Sequence, residues 1–166
     1  EYNFIKGNDE NRVQVSQVTD RLYVCKNVMS GLNVVEFYDS YDELRNIQLF
    51  QNGKIQKHFK PEYSYCNIDG IFYSDQKFCS IYIDFDKKGA NNKIRIEKIT
   101  KDPRYFTSIY LTDSLYIKEK EVRIVVPDWM NVELKDLNFS GFNIKKDKTT
   151  TNGNTIYLYT INDLPG

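Results

Sequence analysis

The chain has 166 residues with 23 Lys+Arg against 23 Asp+Glu, a formal net charge of zero. That length suits one domain (1–166) able to bury a core without staples, and a neutral surface has no long-range field with which to gather nucleic acid. No run approaches the ~18 apolar residues of a membrane-spanning helix, and 13 Tyr against 1 Trp favours sheet over helix.

Glu1–Asn11 is polar and reads as frayed, apart from an anchor at Phe4-Ile5. Because the chain starts at Glu1 rather than Met, a removed signal peptide is expected upstream. Arg12–Val18 alternates Val13, Val15 and, after a slip, Val18; Arg21–Asn27 continues with Leu22, Tyr23 and Val24. Leu32–Tyr38 is apolar on both faces, the pattern of a central strand. Asp39–Leu44 suits one helical turn capped by Asp39 or Ser40. Asn46–Phe50 and Lys54–Phe59 flank Asn52-Gly53, a hairpin signal because both central positions of a type I′ turn need φ > 0. Pro61–Ile68 reads as a less regular crossing.

The stretch Ile71–Pro127 reads as four consecutive strands. In Phe78–Phe85, Cys79, Ile81, Ile83 and Phe85 share one face. In Lys93–Ile99, Ile94 and Ile96 face in, and the phase breaks at Glu97-Lys98, which predicts a bulge there. Tyr105–Leu111 is the third strand, rich in aromatic and β-branched residues. In the fourth, Tyr116–Val126, a charged middle at Lys118–Glu121 precedes inward Val122, Ile124 and Val126 and suggests an exposed or edge segment. Trp129 and Val132 open a short strand up to Leu134, and Asn152-Gly153 joins Phe142–Lys146 to Thr155–Ile161 in a second hairpin. Residues 162–166, closing on Leu164-Pro-Gly166, read as the start of a linker.

Strands spaced about 8–12 residues apart predict an all-β, mainly antiparallel two-layer β-sandwich with at most short helical turns. Its predicted core is Val24, Val34, Leu49, Ile81, Ile83, Ile94, Ile96, Ile109, Val122, Ile124 and Ile156.

The chain has one histidine, His58, on a strand pattern with no recognisable nucleophile beside it. Asp84-Phe-Asp-Lys-Lys-Gly89 begins like a calcium loop, but Lys88 and Arg95 put cations where oxygen ligands belong, so it reads as a turn. Cys25, Cys66 and Cys79 lack CxxC spacing; Cys79 reads as a small core residue, and Cys66 and Cys79 either bridge, in an exported chain, or stay free. Asn138-Phe-Ser140 is a formal glycosylation sequon, and Lys145–Lys148 reads as a solvated turn. The Tyr and Phe residues read mostly as core, with a sugar-stacking platform as the alternative. No catalytic, cofactor-binding or metal-ligating residue is predicted, and no cofactor.

Three stretches carry a family resemblance: Tyr41-Asp-Glu-Leu44 into Asn52-Gly53-Lys54; Phe72-Tyr-Ser-Asp75 and Phe78–Phe85 through Gly89 to Ile94–Ile99; and Tyr105-Phe106, Asp113-Ser114 and Val122–Pro127. With the closing Tyr159–Pro165, they resemble domain-of-unknown-function family 3857 across residues 12 to 165. Asp102-Pro103 followed directly by Arg104-Tyr-Phe departs from the family's pattern. The resemblance implies a β-sandwich module of secreted or periplasmic bacterial proteins, commonly of Bacteroidetes, standing ahead of a transglutaminase-like, papain-fold domain. That downstream domain, in the same polypeptide, would be the partner and would hold the catalytic Cys-His-Asp triad. The chain is then expected to be a non-catalytic accessory domain at the cell envelope, in contact with an envelope protein or glycan; an independent glycan-binding module is the second reading.

Overall fold

The structure is a computed structural model that describes residues 1–7, 12–26, 31–66 and 75–166. Its strands are β1 (Tyr2–Lys6), β2 (Val13–Val24), β3 (Gly31–Tyr38), β4 (Asp42–Gln51), β5 (Lys54–Ile55), β6 (Glu62–Tyr65), β7 (Lys77–Asp84), β8 (Asn91–Thr100), β9 (Ile117–Pro127), β10 (Ile144–Thr151) and β11 (Asn154–Leu164). A single 3₁₀ turn, Pro103–Tyr105, is the one helical element among the described residues. The fold is all-β, a largely antiparallel sandwich, as the alternation in the sequence predicts. Two compact units divide the chain: a continuous unit, Gln17–Lys101, and a split unit made of Glu1–Ser16 and Asp102–Gly166. The boundary falls inside β2.

In the continuous unit one layer runs β2-β8-β4-β5 and the other β3-β7-β6. Period-two alternation sends every second side chain inward. The shared core holds Val34, Cys79, Ile81 and Ile83 from the second layer and Leu49, Ile94 and Ile96 from the first. Ile81, Ile83 and Ile94 have no solvent exposure. The Asn52-Gly53 hairpin forms with φ of 47° and 78°. A bulge lies opposite Glu97-Lys98, where it was expected, but the extra residue is Arg45 on β4.

Four expectations fail in this unit for physical reasons. Val24 is 55% exposed because it shares the outward phase of exposed Leu22, while Tyr23 packs on the core and Cys25 is buried on the alternate phase. Leu32–Tyr38 becomes β3 at a sheet edge: its outward Val35 and Phe37 face solvent, while the polar Glu36 takes the inward phase. Glu36 is held there by Lys98 Nζ at 3.0 Å and Arg21 at 3.2 Å, which offset much of the cost of burying a carboxylate. Asp39–Leu44 forms no helical turn; the Tyr41 N–H donates to Asp39 Oδ1 at 2.7 Å in a tight turn, and β4 starts at Asp42. Lys54–Phe59 stops being strand at Ile55, because Gln56–Phe59 closes a turn through Phe59 N–H to the Gln56 carbonyl. Of Pro61–Ile68, Glu62–Tyr65 forms β6, and positions 67 and 68 lie outside the described residues.

In the split unit the order is β10-β11-β9-β1-β2. β9 and β11 pair from Asn154–Pro127 to Leu164–Ile117, and the Asn152-Gly153 hairpin joins β10 to β11 with φ of 50° and 72°. β1 runs parallel to β9, pairing Tyr2 with Ile124 and Asn3 with Val125, and Phe4 is buried as an anchor. The charged Lys118–Glu121 segment lies beyond those two pairs and is laddered to β11 on the other side. The core contains Phe4, Val15, Val122, Ile124, Val126, Tyr159, Ile161 and Leu164.

Here the covering layer is not a sheet. Phe106, Ile109 and Leu111, with Met130, Val132, Leu134 and Phe139, pack on that core from segments outside any strand. The predicted strands at Tyr105–Leu111 and Val132–Leu134 are therefore irregular. Pro103 sits in the 3₁₀ turn, whose start is capped by Asp102 accepting the Arg104 N–H. The carbonyls of Tyr110 and Leu111 each accept from Lys120 Nζ at 3.1 Å, a side-chain substitute for a ladder. Ile109 and Ile156 are half-buried rather than central. Lys145–Lys148, expected as a turn, lies in β10.

Candidate functional site

Cys25, Cys66 and Cys79 are all free thiols. In the β6–β7 ladder Cys79 faces Tyr63, while the Cys66 N–H donates to the Gln76 carbonyl at 2.9 Å. Three ladder steps between them amount to roughly 10 Å, beyond the ~7 Å that a disulfide spans, so the bridge left open by the sequence does not form. Burial pushes the Cys79 thiol up to about 11; the Glu36 carboxylate adds to this, and a hydrogen bond with Tyr63 opposes it. A buried, protonated thiol is a packing group rather than a nucleophile.

His58 lies in the Gln56–Phe59 turn and is exposed. It stands on the rim of a cleft of about 320 Å³ lined by Leu49, Gln51, Gln56, Lys57, Phe59, Tyr82, Asp84 and Asn92. The cleft has a structural cause. The last β6 pair is Glu62 with Ser80, so β6 does not extend alongside Tyr82 and Asp84, which stay laddered to Asn33 and Gly31 of β3. Leu49 and the fully buried Asn92 form part of the lining from β4 and β8. Asn92 Nδ2 donates to the Asp84 carbonyl at 2.9 Å, and Asp84 Oδ1 accepts the Phe85 N–H at 3.0 Å. Sequence reading singled out His58 and Asp84 but missed Gln51, Gln56 and Asn92. One signal was available: Asn92 shares the inward phase of Ile94 and Ile96, a buried polar residue on an apolar face.

The Asp84–Gly89 segment is a turn, closed by the Ala90 N–H on the Lys87 carbonyl, with Gly89 at φ 83°. Gly89 N–H donates to the Cys25 carbonyl and Cys25 N–H to the Ala90 carbonyl, which tie the turn to the end of β2. Arg95 forms a two-pronged bond to Asp20, at 2.7 and 2.6 Å. That bond holds the Asp20 carboxyl below its ordinary range despite partial burial.

The outward face of β3-β7-β6 carries Phe37 at 53% and Tyr82 at 61% exposure, with Val35 beside them. Phe37 pairs with Phe78 at 6.3 Å between ring centroids, and the hydroxyl end of Tyr82 lies over Gly31, where a Cβ would meet it at 2.2 Å. Tyr82 is accordingly an aromatic cover for a strand glycine. On the inward phase, at the end of β7 that β6 pairs, Lys77 lies 5.3 Å from the Tyr65 ring centroid, and Tyr38 meets Tyr63 edge-on.

In the split unit Asp136 accepts from Lys146 Nζ at 2.8 Å and from the Tyr159 hydroxyl at 2.9 Å. Burial pushes the Asp136 carboxyl up, but these two donors outweigh it and hold it below its usual range. Tyr159 itself is buried and stacked edge-on by Phe139. The trio clips the 128–143 segment to β10 and β11. Asn138 of the sequon is exposed, with φ of 60°.

No family model matches the chain, and no curated protein does. Among solved structures it is similar to a putative protease from Parabacteroides distasonis ATCC 8503, with a TM-score of 0.56 and 14% identity. The likeness covers 99% of this chain and 34% of that one, so this chain spans about a third of the length of the protein it matches. At this identity what is shared is the fold.

Proposed function

We propose that this chain is a non-catalytic accessory module serving a transglutaminase-like, papain-fold domain in the same polypeptide, in an exported bacterial protein of the cell envelope. The observation that carries this reading is the likeness over 99% of this chain to a third of a longer protein named a putative protease. An all-β module of this fold therefore occurs within a chain whose name is hydrolytic. The buried, protonated Cys79 and the isolated rim position of His58 agree with chemistry being done elsewhere. A neutral surface suits the modest, fairly polar interfaces that domains of one chain share.

The test begins with the parent reading frame. A papain-like Cys and His should be encoded in the same polypeptide, and joining that domain to residues 1–166 should raise the unfolding midpoint relative to either part alone. A frame without such a domain, or identical midpoints together with an unchanged hydrolysis rate when this module is removed, defeats the proposal.

A further inference from the structure

We propose that the cleft between the Gln56–Phe59 turn and the end of β7 binds a single pyranose unit of a glycan. The inference does not depend on any neighbouring domain. It rests on the lining. A sugar ring offers hydroxyls that both donate and accept around an apolar C–H face. The cleft offers the same in mirror form. Gln51 and Gln56 each carry an amide that donates and accepts, Gln56 Nε2 already donating to the Lys54 carbonyl at 3.2 Å; His58 adds an imidazole, and Asp84 supplies an acceptor, while Leu49 and Phe59 provide apolar surface. Asp84 Oδ1 is engaged by the Phe85 N–H, which fixes the carboxylate and leaves Oδ2 for a ligand. Asn92, 1% exposed and anchored on the Asp84 carbonyl, stiffens the base.

Charge and size narrow the class. Lys57 and Asp84 balance, so neither a phosphate nor a cation finds a matching field. A volume of about 320 Å³ is at the small end of ligand pockets, enough for one ring and not for a long aliphatic or drug-sized molecule. The rim is open at His58 and Lys57, so a ring at the end of a chain can enter while the rest stays in solvent. Tyr82, 61% exposed at that rim, is placed to meet the next sugar.

The experiment is a backbone amide chemical-shift titration of the 166-residue chain with methyl β-D-glucopyranoside, methyl β-D-galactopyranoside, methyl α-D-mannopyranoside and, separately, inorganic phosphate. With at least one glycoside, saturable shifts should centre on Gln51, Gln56–Phe59 and Tyr82–Phe85, with a dissociation constant on the order of 1 mM. His58→Ala and Gln56→Ala, both in a surface turn, should each weaken binding about threefold to tenfold while leaving the rest of the spectrum in place. Tyr110→Ala, at a ring 80% exposed in the other unit, should bind as the parent does. The proposal is overturned if no glycoside saturates, if the shifts map elsewhere, if phosphate fills the cleft more tightly than every glycoside, or if His58→Ala and Gln56→Ala bind like the parent.

Discussion

The two units bury their cores by different means. In the continuous unit, apolar side chains from two layers of strands meet face to face, and the contacts follow from alternation alone. In the split unit, one sheet is roofed by irregular chain at 106–111 and 130–139, whose apolar residues have no fixed period. A roof without a ladder must satisfy its backbone by other routes. Lys120 does so for the carbonyls of Tyr110 and Leu111, while Asp136 ties the roof to the sheet through side chains alone, accepting from Lys146 and Tyr159. Periodic burial follows from alternation, whereas aperiodic burial is positioned by a few specific polar contacts.

The sharpest way to break this contrast is by truncation in each core. Ile81→Ala removes a side chain with no exposure between two layers and should cost about 2–5 kcal/mol. Val132→Ala, half-buried in the irregular roof, should cost about 1 kcal/mol. Equal losses in urea unfolding would mean the roof is packed as tightly as the sandwich. Next comes the polar exception in the periodic core. Glu36→Ala strands Lys98, whose side chain is only 15% exposed, and should cost about 3 kcal/mol. Glu36→Ala with Lys98→Met should recover most of that, and a fully additive double variant would show that the pair is not coupled.

The clip of the split unit gives a smaller effect with a pH signature. Tyr159→Phe removes one donor to Asp136 and should cost about 1 kcal/mol. The Asp136 carboxyl is held below its unfolded value, so its contribution is complete above the unfolded pKa near 3.9 and is lost as pH falls through the folded one. Asp136→Asn should therefore be less stable at neutral pH but lose less of its unfolding midpoint on acidification; parallel pH profiles would remove Asp136 from the account. Least of all, Asp20→Asn breaks the two-pronged bond to Arg95. Both side chains are more than a third exposed, so the loss should lie within about 1 kcal/mol and shrink with added salt.

The contrast also explains what was legible in the sequence. Strict alternation made Ile81, Ile83, Ile94, Ile96, Val122 and Ile124 readable as core, and the two Asn-Gly dipeptides marked their hairpins because φ > 0 leaves few other residues. Phe106–Leu111 carries the aromatic and branched residues of a strand, yet Lys120 meets its carbonyls in place of a neighbouring strand. Composition cannot separate these two outcomes. The cleft was half readable: His58 and Asp84 stood out by chemistry, but their closeness depends on where β6 ends, a ladder property with no local signature.

The division of β2 between the units has a consequence for the order of events in folding. Every strand that completes the continuous unit lies before Lys101 in the chain, so on a ribosome it can close before β9 exists. β1 can pair with β2 at once, but its other neighbour is far along the chain at Ile124, and that parallel pairing closes a long loop for only two registered pairs. Refolding should accordingly show a faster phase reported by β7 and β8 and a slower one reported by β9 and β11, with the β9-facing edge of Tyr2–Lys6 open to chaperones in the interval.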